Sequence, residues 1–232
     1  MQKTIAHILL SATGFACFLA LNSFSLWGFA LLPETTLGEH AQLLWNTPLS
    51  LSNVAAFAVF FAGAYRAPRL FGRSPLVAAI ALLSAAVALM CLSTLLQNPA
   101  VLAAAGTCMG VGTTCCFFCW ARALFADGPD MAKVEIVLGS VLSAVPYLAF
   151  FTLDASTIAL TIAALATLNV AALLGHEWIA RREGRAEVPT RTVSPSVLAS
   201  SFWRPLLCCA MIGFATPVIA TVSQGSMAGM SF

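Results

Sequence analysis

Charge is what this sequence has least of: only 9% of its 232 residues are Asp, Glu, Lys or Arg, against roughly a quarter in an ordinary soluble domain. Eleven basic and nine acidic side chains cannot cover a water-facing surface, which excludes a soluble globular domain. A net charge of +2 is too small for a nucleic-acid-binding surface, so no nucleic acid is expected on this segment. There is no HExxH, no phosphate-cradling glycine loop, no dinucleotide fingerprint and no Ser/His/Asp order, so neither catalytic residues nor a cofactor is expected. All eight cysteines fall within apolar runs, which leaves no disulfide between outer loops.

What is abundant is apolar sequence, 60% of the chain. It falls into runs at Ile5 to Leu32, Thr47 to Tyr65, Pro75 to Leu96, Ala100 to Phe125, Val134 to Phe151, Ala155 to Trp178 and Phe202 to about Ser223. Each is long enough to cross a hydrocarbon core about 30 Å thick. The first is about twice the length of a signal-peptide core and lacks a small-residue cleavage site, so it reads as a retained span. Lipid offers no partner for backbone amides, and the runs show no period-2 alternation, so helices are expected and a barrel is not. The expected fold class is all-α, a polytopic transmembrane helical bundle of six spans plus a seventh. Residues 1–178 form the six-helix bundle, 179–201 a charged linker with Pro189 and Pro195, and 202–232 the seventh span with a short tail.

The basic residues are segregated. With a cytoplasmic N-terminus, the inner segments hold Lys3, then Arg66, Arg69 and Arg73, then Arg122 and Lys133, then Arg181, Arg182, Arg185, Arg191 and Arg204. The outer loops around 34–46, 97–99 and 152–154 contain no Lys or Arg. The positive-inside rule therefore predicts an inside N-terminus and an outside C-terminus in the plasma (inner) membrane. Trp45, on the outer side, and Trp120, Trp178 and Trp203, near inner ends, read as headgroup anchors.

No charged residue is expected at mid-depth; Glu135 stands a residue or two into span five and Arg122 ends span four. The deep polar groups are Asn22, Asn53, Thr113, Thr114 and Asn169, which either line a ligand cavity or make interhelical hydrogen bonds. Gly106 and Gly110 form a GxxxG step that lets a neighbouring helix approach span four. Cys108, Cys115 and Cys119 share one helix face, but zinc wants four ligands and no His or acidic partner lies at their depth, so no metal is expected. His7 and His176, near inner ends, and His40, in an outer loop, read as interfacial polar residues.

The layout of six spans, a basic linker and a seventh span beginning inside resembles the first half of the major facilitator superfamily. Gly63, Arg66, Arg69, Gly72 and Arg73 resemble its loop between spans two and three, without the Asp of that motif. Gly110-Val111-Gly112 is present in span four, but Gly106 stands where proton-coupled members carry an Arg, and only Gly139 and Pro146 represent the antiporter bend of span five. The transport motor is thus missing. Asn22-Ser23-Phe24-Ser25-Leu26-Trp27, Trp120-Ala121-Arg122 after the Gly-Val-Gly, and Phe202-Trp203-Arg204-Pro205-Leu206 resemble the membrane portion of bacterial LuxR-type regulators. That resemblance implies a transcription regulator's sensor, responding to a small-molecule ligand without moving solute. It also implies about five further spans, that is a missing C-terminal bundle, and then a helix-turn-helix domain, beyond Phe232. The alternatives are half of a facilitator-type or degenerate transporter, and a small stand-alone membrane scaffold whose seven spans assemble alone or with a second copy in the bilayer.

Overall fold

The computed structural model describes residues 2–27, 41–66, 74–149, 152–153 and 155–182. Among the described residues six helices follow one another: α1 Gln2–Trp27, α2 Ala41–Arg66, α3 Ser74–Leu96, α4 Pro99–Ala126, α5 Pro129–Ala149 and α6 Ala155–Arg182. No strand occurs among the described residues. α1, α2, α3, α4 and α6 are each long and apolar enough to cross a membrane. The chain divides into two units, Met1–Thr190 and Arg191–Phe232. The expected seventh span and most of the linker lie outside the described residues, as do Arg69 and Arg73 of the basic loop.

Local chemistry explains the boundaries. The turn between α3 and α4 is only Gln97 and Asn98, and Asn98 caps α4, its Oδ1 accepting the amide of Ala100 at 2.9 Å while Pro99 opens the helix. Between α4 and α5, Gly128 adopts φ +92°, a backbone open to glycine, and Pro129 starts the next helix. This glycine-proline step starts α5 five residues before the expected Val134, so Glu135 is its seventh residue. Likewise α2 begins at Ala41, six residues before the apolar run, and α6 continues to Arg182, because helix propensity does not stop at the edge of the apolar stretch.

Packing is organised around α1 and α4, the two most buried spans. α1 packs on α5 and α6, α4 packs on α2 and α3, and further contacts join α1 to α4 and α3 to α6. Exchanging α1, α2 and α3 for α4, α5 and α6 maps these principal pairings onto themselves. Close approach of α2 depends on the glycine step: a Cβ at Gly106 would stand 2.7 Å from the Trp45 carbonyl, and one at Gly110 would collide with Leu49 O and the Ser52 hydroxyl. Farther along, Phe60 stacks on Phe118 with ring centroids 4.6 Å apart.

Two tryptophans correct the reading of headgroup anchors. Trp45 and Trp120 are fully buried. Each indole N–H finds an acceptor inside the bundle, the Ser25 carbonyl at 2.9 Å and Asn169 Oδ1 at 2.7 Å, so neither needs the headgroup layer. Trp178 is exposed, with the Arg182 guanidinium 3.8 Å over its ring.

Candidate functional site

The turn from α4 to α5 sets Asp127 at the end of the bundle where α1 begins and α6 finishes. There the Asp127 carboxylate meets two imidazoles. His176 Nε2 lies 2.8 Å from Asp127 Oδ2, and since a carboxylate accepts, the ring N–H donates. His7 Nε2 stands 3.8 Å from the same oxygen. The two imidazole centroids are 4.8 Å apart. All three side chains are withdrawn from solvent, with exposures of 6% for His7, 3% for His176 and 1% for Asp127. One ligand-capable atom from each lies within 4.8 Å of the other two. Three polar side chains on three separate elements thus converge on one small volume.

Beside it in sequence, Glu177 joins two arginines. Its Oε1 accepts from Arg122 Nη2 at 2.6 Å and its Oε2 from Arg181 Nη2 at 2.7 Å, tying the end of α4 to the end of α6. These are partly exposed groups, so the pairing contributes little stability on its own.

Deeper in the bundle the polar residues bond to helices. Thr113 Oγ1 donates to Met109 O at 2.9 Å and Thr114 Oγ1 to Gly110 O at 2.9 Å, both within α4. Asn169 is fully buried; it accepts from Trp120 and donates through Nδ2 to Cys116 Sγ at 3.3 Å, which links α6 to α4. Asn22 and Asn53 are half-buried, on α1 and α2. Three of the five thus have polar atoms engaged in bonds within or between helices. Cys115, Cys116 and Cys119 are buried free thiols, packed in the hydrophobic core. Arg66 ends α2. Glu135 is fully buried on the α5 face that also carries Gly139, where a Cβ would press on Phe15 and Ala12 of α1.

The cluster His7–Asp127–His176 was not legible as a site from sequence, because its members are separated by 120 and 49 residues. His7 and His176 are buried in protein where the sequence reading set them at an interface. A usable signal did exist: two histidines near predicted inner ends, and an Asp-Gly-Pro turn at the same end. No protein-family model matches the chain, and no curated protein or solved structure matches it either.

Proposed function

We propose that the chain is an integral membrane sensory module, part of a LuxR-type membrane regulator, that binds a small ligand without catalysis and moves no solute. The observation that carries this reading is where the buried ionisable groups sit. His7, Asp127 and His176 gather at one end of the bundle, the end to which the basic residues also segregate. A transport relay needs a titratable group reachable from both sides of the membrane, whereas a cluster at one face reports on one compartment.

The exchange symmetry of the helix pairings supports a facilitator-like half, which is built from two inverted three-helix repeats. α5, at 21 residues, reaches about 31 Å, long enough to serve as a sixth span. The segregation of Lys and Arg supports an inside N-terminus in the plasma membrane. The partner of such a half is a second helical bundle.

One observation favours a second reading. Glu135 is a fully buried carboxylate within about two turns of the start of α5, and intramembrane carboxylates serve proton-coupled carriers. Proteoliposomes holding the chain and a pH-sensitive dye separate the two. A sensor gives a saturable change in tryptophan emission on titration with a small-molecule panel, with no proton or solute flux. Flux that disappears in Glu135→Gln would replace the sensory reading with a transporter half.

A further inference from the structure

The geometry points to a divalent transition-metal site formed by His7 Nε2, His176 Nε2 and Asp127 Oδ2, clamping the start of α1 to the ends of α4 and α6. This inference does not rest on the sensory reading and holds equally for a transporter half or a scaffold.

The donor set decides the class of ion. Two imidazole nitrogens and one carboxylate oxygen, with remaining positions open to water, suit zinc and its first-row neighbours. Calcium and magnesium require all-oxygen sites, and cuprous ion prefers thiolates, which are absent from this cluster. In a tetrahedral zinc site with bonds of about 2.0–2.1 Å, neighbouring donors stand roughly 3.3 Å apart. The separations from Asp127 Oδ2, 2.8 Å to His176 and 3.8 Å to His7, straddle that value. All three donor atoms lie within 4.8 Å of one another. Both histidines present Nε2, leaving Nδ1 to carry the ring proton when a cation displaces it from His176. Burial matters as well: with side-chain exposures of 6% or less, the three donors are withdrawn from bulk solvent.

The test uses the full chain in nanodiscs, stripped by a chelator and titrated with Zn2+ by calorimetry. The expected result is one Zn2+ per chain and a melting temperature that rises with Zn2+ concentration. His7→Gln and His176→Gln should weaken binding by at least roughly a hundredfold, beyond the range seen for supporting residues around a metal. Glu177→Gln, beside the site but not a donor, should bind Zn2+ as the unaltered protein does. Should a histidine variant fail to fold, the unaltered protein loaded with Co2+ decides. Ligand-field bands without thiolate charge transfer support the site, and thiolate charge transfer overturns it in favour of the cysteines of α4. Absence of stoichiometric binding, or binding untouched by both histidine substitutions, also overturns it and leaves the three residues as a hydrogen-bonded clasp.

Discussion

At the scale of single residues, the Trp120–Asn169 bond is the most informative contact in the core. Both side chains are fully buried, and each would otherwise leave a polar group without a partner, since lipid supplies none. Trp120→Phe removes the donor and strands the Asn169 oxygen, a loss of about 1–3 kcal/mol. Asn169→Leu removes acceptor and donor together, freeing both the Trp120 N–H and Cys116. A double-mutant cycle followed by detergent unfolding should return a coupling of about 0.6–1.7 kcal/mol. A coupling of zero would mean that the indole finds another acceptor once the amide is gone.

At the scale of helices and turns, two kinds of glycine behave differently. Gly110 is needed for space: a Cβ there collides with the backbone of α2 at Leu49, so Gly110→Ala should destabilise by about 1–3 kcal/mol, while Ala104→Val, on the exposed side of α4, should be near neutral. Gly128 is needed for conformation. Nothing lies within 4 Å of its would-be Cβ, yet φ is +92°, so Gly128→Ala should cost about 1–2 kcal/mol, and Gly128→Asn, which tolerates left-handed backbone, should recover part of that. Comparing the unfolding midpoints of the four variants separates crowding from backbone strain. A neutral Gly128→Ala would show that the turn can relax. At the other end of α4, Asn98→Ala should lose about 1 kcal/mol by removing the cap on Ala100.

For the whole molecule, the arrangement of charge makes the orientation testable. In a cysteine-free background, Glu39→Cys and Arg185→Cys should react with an impermeant thiol reagent from opposite sides of intact cells. Labelling of both from one side would contradict the alternating topology. Composition and order along the chain were enough to set apart long apolar helices and the approximate place of each of the six described ones, because a shortage of charge and the length of apolar runs need no tertiary information. The glycine step of α4 was legible for the same reason: Gly106 and Gly110 lie one turn apart on a helix that is visible in the sequence. The sequence misread Trp45 and Trp120, since an amphipathic ring suits a headgroup layer or a buried acceptor equally well, and only the neighbouring helix supplies the acceptor. Tertiary structure alone decided that α1 and α4 are central and that Asn169 reaches Trp120. It alone brought His7, Asp127 and His176 to one point. In a bundle whose helices are apolar on most faces, sequence periodicity carries little information about which face meets which neighbour. Residues 49 and 120 positions apart become neighbours only when the helices choose their partners.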